Sequence, residues 1–190
     1  MNLYLKASRV ILREFRYSDL DSVHNYASDI EVVRYMEWGP NSIKETEEFI
    51  EQAIKSKDVN PRKQFELAVT KEKQLIGSCG LVITNLEAKQ AYIGYCFNKK
   101  FWGMGFATES ANKLLDFGFS ELSLHRIHAT CDVNNTGSER VLQKIGMKKE
   151  GCLREHKLIR KEWRDSYLYS ILKDEYSGIK LFSQCSEELK

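Results

Sequence analysis

The chain has 190 residues, 42% hydrophobic and 29% charged, which fits one globular domain with an ordinary core and excludes a disordered or fibrous protein. Its 29 basic and 27 acidic residues leave a formal charge of +2, too little for the sustained positive field that tracks along nucleic acid, so no direct nucleic-acid partner is expected. Charges interrupt every apolar run of the N-terminal MNLYLKASRVILREF, which offers neither a signal-peptide core nor a membrane span, and the expected location is the cytoplasm.

In chain order, 8–15 is a β-branched run that reads as a strand, and Ser18-Asp19 reads as the cap of a first helix ending near residue 28. Ser42-Ile-Lys-Glu45 is a capping-box pattern that starts a second helix, carried on by Phe49, Ile50, Ala53 and Ile54 and stopped before Pro61. Strand-like runs at 64–70, 75–84 and 90–98, joined by short polar links, predict an antiparallel meander. A glycine-bearing stretch at 99–106, a helix over 107–120 and a strand over 126–133 then predict a parallel crossover. A short helix over 136–145 stops at Gly146, and strands follow near 152–159 and 166–172. The expected class is α/β with a mixed, mostly antiparallel sheet in one domain over 1–176, with 177–190 as a C-terminal tail.

Trp102-Gly-Met-Gly-Phe-Ala-Thr-Glu109 leaves a strand, removes side chains at two positions and enters a helix. Such a loop suits an anion: backbone N–H groups converge on a phosphate, and the helix N-terminus adds partial positive charge. Lys99, Lys100 and Lys113 are close enough in sequence to assist. The same glycines also suit a plain tight turn or a dinucleotide fold, but the latter places its loop after the first strand with a third glycine, where Thr108 stands here.

With Asp132-Val-Asn-Asn135-Thr-Gly-Ser138 and Arg140-Val-Leu-Gln-Lys-Ile-Gly-Met147, this loop resembles the Gcn5-related N-acetyltransferase (GNAT) superfamily, in particular its RimJ/RimL-like branch of ribosomal-protein N-acetyltransferases. SRVILREF, SDIEVVRYM and GCLREHKLIRKEWRDSYLYSIL extend the resemblance over about residues 8–175. It implies helices on both faces of the sheet, a splayed central strand pair, and acetyl-coenzyme A (acetyl-CoA) as acetyl donor. The backbone of Trp102, Gly103, Met104, Gly105, Phe106, Ala107 and Thr108 would take the pyrophosphate. Asn135 would hold the cofactor arm, and Ser138 would stand near the sulfur. The family's usual Gln or Arg is Trp102 here, and the tyrosine acid of other branches is replaced by Leu142, which leaves Ser138 or a water to protonate the thiolate. The strand 92–97 would serve the arm and the thioester, with the N–H of Cys96 or Phe97 as oxyanion donor. Asn135 and Ser138 also suit a simple helix cap.

The acceptor amine must be neutral to attack. An α-amine with a pKa of about 8 is roughly a tenth neutral at pH 7, whereas a lysine-like amine near 10.4 starts about 4–5 kcal/mol behind. Glu155, Glu109 and Asp132 are the candidate bases, with Glu155 preferred. The cysteines Cys79, Cys96, Cys131, Cys152 and Cys185 are spaced singly, with no C-x-x-C pair or metal-ligand His spacing, and are expected to be reduced, mostly buried thiols. No metal is expected, and transfer is expected to be direct. His156, Tyr35, Trp38 and Trp163 could line the acceptor site. The expected acceptor is a protein N-terminus, a ribosomal protein being the family-guided choice. The rival is a small amine such as a polyamine or aminoglycoside, which requires an acidic cleft to which Glu31, Glu37 and Glu45 could contribute. A catalytically inactive acyl-CoA sensor is the third reading, and the chain is expected to act as monomer or homodimer.

Overall fold

The computed structural model describes residues 3–176. The expected tail at 177–190, and Cys185 within it, lie outside the described residues. Eight strands form one sheet: β1 (Tyr4–Lys6), β2 (Ile11–Glu14), β3 (Gln64–Lys71), β4 (Gln74–Asn85), β5 (Gln90–Phe97), β6 (Arg126–Asp132), β7 (Lys148–Ile159) and β8 (Glu162–Leu172). Their order is β1-β2-β3-β4-β5-β6-β8-β7, and every pairing is antiparallel except β5 with β6. The helices are α1 (Leu20–Ala27), α2 (Ile43–Ser56), α3 (Phe106–Ser120) and α4 (Thr136–Lys144).

Alternation along the strands divides the core in two. Phe65, Leu67 and Val69 of β3, Leu81 of β4 and Ile93 of β5 pack with α3 and Leu142 of α4. The opposite face, through Ala68 and Cys96, packs against Val23, Tyr26 and Ala27 of α1 and Ile50 and Ala53 of α2. Helices thus cover both faces, as the resemblance implies. The capping box of α2 forms as read: Ser42 accepts from Glu45 N–H while the Glu45 carboxylate accepts from Ser42 N–H.

Two sequence expectations need correcting. Asp19 does not cap α1; its carboxylate accepts from Arg16 N–H and pairs with Arg13 at 2.8 Å, tying the helix entry to β2. The last hairpin begins earlier than the apolar pattern shows, because β7 is an edge strand exposed along most of its length and carries no alternation to read. Its two-residue turn, Arg160-Lys161, has φ of 49° and 68°, a mirror-image turn built without glycine and so without a sequence signal.

The feature that matters for function is where β5 and β6 stop pairing. Their register runs only through Gln90↔Arg126, Ala91↔Ile127 and Tyr92↔His128. Beyond Tyr92 the two parallel strands diverge, and α3 and α4 begin at the open end.

Candidate active site

A cavity of about 780 Å³ fills this opening and crosses the sheet. Tyr95, Cys131 and Ser138 wall it on the α3/α4 side, while Glu66, Ser78 and Gly80 wall it on the α1/α2 side. Along β5 the direction of the backbone groups is fixed at both ends. Asn98 N–H donates to Ile76 O of β4, whereas Lys89 O accepts from the N–H groups of His125 and Arg126 that lead into β6. Alternation therefore turns Cys96 N–H into the β4 ladder and points the N–H groups of Ile93, Tyr95 and Phe97 at the gap. Of the two expected oxyanion donors, only Phe97 faces the opening, and Cys96 is withdrawn. Cys96 is a packing residue, with burial pushing its thiol up to about 12.

The glycine loop follows from the C-terminal end of β5. Gly103 and Gly105 have φ of 74° and 81°, left-handed values that L side chains rarely adopt. A Cβ at Gly103 would meet nothing within 4 Å, so its glycine serves the turn rather than the packing. Gly105 is the N-cap of α3 and carries no side chain to satisfy the first-turn N–H groups, which suits an anion there. Phe106 is buried, Ala107 and Thr108 continue the first turn, and Met104 is exposed. Trp102, where the family's Gln or Arg usually stands, folds its indole back to donate from Nε1 to Phe97 O at 2.8 Å.

Arg9, a residue with no local pattern to single it out, braces this loop. Its guanidinium donates to Met104 O at 3.1 Å, pairs with Glu109 at 2.8 Å and lies over the Phe106 ring. Glu109 also accepts from the N–H groups of Arg9 and Val10. It is a structural clasp, not a candidate base. Lys99 and Lys113 are likewise engaged, with Asp29 and Glu31 and with Asp116 respectively.

Asn135 does what a helix cap does: Oδ1 accepts from Ser138 N–H at 3.0 Å, and Nδ2 makes no hydrogen bond among the described residues. The Ser138 hydroxyl lies 2.9 Å from the hydroxyl of Tyr95, whose OH also donates to Ser138 O at 3.2 Å. Tyr95 went unread in the sequence because nothing short of the β5-to-α4 packing brings the two residues together. Burial raises its phenol above the usual range, so it keeps its proton at neutral pH. Leu142 is buried in the cavity wall.

Glu155, the preferred base, is misplaced for that role. It is exposed, has φ of 48° in a bulge of β7, donates its N–H to Asp165 and is absent from the cavity lining. Asp132 does line the cavity; one oxygen accepts from Asn134 N–H at 2.8 Å and the other is buried without a partner. Tyr35, Trp38, Glu37 and Glu45 also line it, whereas Glu31 pairs with Lys99 and Trp163 is exposed at the far hairpin. His156 borders a smaller adjoining hollow. Cys79, Cys96 and Cys131 are buried and Cys152 exposed, all as free thiols. No cluster of metal-ligating residues occurs among the described residues, and no helix among them is long and apolar enough to cross a membrane.

A mixed sheet opened between its two parallel strands, with an uncapped, glycine-led helix at the open end, is the framework of a transferase that takes its acyl group from coenzyme A. A profile of the acetyltransferase (GNAT) domain matches residues 9–148, and the chain belongs to this family. It is 35% identical over 176 residues to the uncharacterized N-acetyltransferase YnaD of Bacillus subtilis, covering 92% of this chain and 100% of that one. It is 25% identical over 171 residues to the spermidine N(1)-acetyltransferase of Escherichia coli, covering 90% and 89%. Among solved structures, a GNAT-family acetyltransferase from Bacillus anthracis is 33% identical with a TM-score of 0.80, covering 90% and 99%. The spermidine N-acetyltransferase of Vibrio cholerae, in complex with CoA and spermine, is 26% identical with a TM-score of 0.77, covering 88% and 98%. RimL, the ribosomal L7/L12 α-N-protein acetyltransferase, covers 90% and 95% with a TM-score of 0.81 at 20% identity and shares the fold. The chain is thus an acyltransferase that moves acetyl from acetyl-CoA to an amine.

Proposed function

We propose that the acceptor is a small polycationic amine of the polyamine type, acetylated at a primary amine by direct transfer. The observation that carries this reading is the charge of the acceptor side. Glu37, Glu45, Glu48, Glu66 and Asp132 line the cavity against two cations, Lys157 and Arg164, and Lys157 is already paired with Glu37 at 2.5 Å. Several carboxylates in an enclosed hollow attract a multiply charged ammonium and exclude anions. The likeness to two spermidine acetyltransferases agrees.

In this reading the loop from Trp102 to Thr108 holds the pyrophosphate through its backbone, and Asn135 Nδ2 donates to the cofactor arm. The N–H of Phe97 stabilises the oxyanion. The hydroxyls of Ser138 and Tyr95 carry a proton to the leaving thiolate, filling with two residues the place where Leu142 has none.

The test is thiol release from acetyl-CoA with spermidine, spermine, N-terminal peptides, lysine peptides and an aminoglycoside, alongside calorimetry with acetyl-CoA alone. Polyamines should be turned over fastest, and the products should carry one added acetyl by mass. Preferential turnover of N-terminal peptides would instead return the chain to the acceptor class expected from its sequence, ribosomal-protein N-termini included. Cofactor binding with no release from any amine would leave an acyl-CoA sensor.

A further inference from the structure

We propose that Glu66 is the general base of the reaction, taking the proton from the acceptor ammonium so that the neutral amine can attack the thioester. The inference rests on the amine-acceptor reading above and names a residue within that same cavity.

The argument begins with register. Glu66 of β3 is paired with Gly80 of β4, and Gly80 with Gly94 of β5, so the three stand in a row on the α1/α2 face. Two of the three have no side chain. The row is therefore a trough that starts at a carboxylate and ends at the gap between β5 and β6. The Glu66 side chain leans into it: a Cβ built on Gly80 would lie 2.5 and 2.6 Å from its two oxygens. The carboxylate thus stands over β4, about one strand spacing (~4.8 Å) from β5 and the opening. That span holds an amine nitrogen, or one water between the amine and the carboxylate.

The company Glu66 keeps supports the same role. Glu14 and Asp19, the other enclosed carboxylates of this half of the sheet, are each neutralised by a guanidinium, Arg62 at 2.7 Å and Arg13 at 2.8 Å. Among the described residues no Lys or Arg is in salt-bridge contact with Glu66, and its only support is the side chain of Gln64. Burial pushes its carboxyl up to about 7, with the Gln64 bond opposing. A carboxylate unpaired in a cavity costs stability and is retained where chemistry uses it. The other charged side chains facing the hollow are Glu37, Glu45, Glu48 and Asp132 and the cations Lys157 and Arg164, and the Tyr26 phenol and Cys79 thiol line it beside them. Burial keeps the Tyr26 phenol and Cys79 thiol protonated, while Ser42 N–H and hydroxyl hold Glu45 below the usual carboxylate range.

The proton balance closes. The ammonium gives one proton to Glu66, directly or through a water, and its nitrogen lone pair forms the C–N bond at the thioester carbon. The tetrahedral adduct collapses, the C–S bond breaks, and its electron pair leaves on sulfur. The second nitrogen proton reaches that thiolate through the Tyr95 and Ser138 hydroxyls, giving free CoA. Glu66 returns its proton to solvent.

The experiment compares wild type, Glu66→Gln and Glu66→Asp with spermidine across the pH range. For Glu66→Gln, kcat should fall about 100-fold at pH 7 with KM little changed. The deficit should shrink towards pH 10, where the amine is already largely neutral, and Glu66→Asp should recover part of the rate. A deficit independent of pH, or a change confined to KM, would overturn the proposal. A second readout needs no acceptor: the Glu66 carboxyl, assigned in a carbon-13 titration by its loss in Glu66→Gln, should have a midpoint near 7. A midpoint in the usual carboxylate range would overturn it even if the acceptor is not a polyamine. Failure of polyamines with the midpoint intact would remove only the acceptor class.

Discussion

The two sides of the sheet build their halves of the site from different materials. On the α3/α4 side the half proposed to hold the donor is made of backbone: two glycines at positive φ, an uncapped helix start and the N–H groups of a strand whose neighbour has turned away. On the α1/α2 side the other half is made of charge, with carboxylates contributed by α2, β3 and β6 around the same cavity. A grip made of backbone needs glycines and a helix start close together in the chain, so it leaves a local pattern in the sequence. A charged hollow is assembled from single residues scattered over the chain and leaves no local pattern to read.

Substitutions can break either half separately. The largest effect is expected from removing the hydroxyl pair. Tyr95→Phe combined with Ser138→Ala should lower kcat about 100-fold while calorimetric affinity for acetyl-CoA stays within about twofold. An unchanged single-turnover rate would show that the thiolate takes its proton elsewhere. Next is Gly105→Val. A β-branched residue at φ of 81° costs about 2 kcal/mol, or shifts the loop, and affinity for acetyl-CoA should fall about 30-fold. Equal affinity would mean that the loop does not hold the pyrophosphate.

Smaller effects belong to the charged half. Because the folded-state pKa of Glu66 lies above its unfolded value, the native protein favours the protonated form. The contribution of Glu66 to stability is fully present below the unfolded value of 4.5 and is lost as pH rises through about 7. Glu66→Gln should therefore raise stability at pH 8 by about 1–2 kcal/mol in urea, with the gain vanishing below about pH 4. A gain that persisted at full size at about pH 4 would have another cause than ionisation. Glu48→Gln, at the cavity wall, should raise KM for spermidine about two- to threefold, and added salt should erase the difference. A salt-insensitive KM would argue against long-range attraction of the acceptor.

Much of the donor half was readable in advance. The strand–glycine–helix order of β5, loop and α3 and the Asn135–Ser138 start of α4 are local patterns, and local patterns survive in sequence. Gly103 and Gly105 were visible as glycines, although only the structure shows that the former serves the turn alone. The acceptor half was not readable. Gln64-Phe-Glu-Leu-Ala-Val-Thr70 alternates as any half-exposed strand does, and Glu66 looks like its solvent-facing member. Its meaning depends on register, which sets it opposite Gly80 and, one strand further, Gly94. Glu155 reads as a carboxylate near the open cleft, but a β7 bulge carries it outside the cavity lining. Tyr95 was hidden by the 43 positions that separate it from Ser138.

The clasp between Arg9 and Glu109 spans 100 positions of sequence. The loop it braces is therefore complete only when residues near 9 and near 109 have both folded and met, and if that loop holds the pyrophosphate as proposed, acetyl-CoA binds selectively to the finished molecule. Cofactor at a hundred times its dissociation constant would add about 2.7 kcal/mol to the folding free energy of the whole chain. The donor is in this sense also a folding ligand, and its supply would set how long the enzyme resists unfolding and proteolysis.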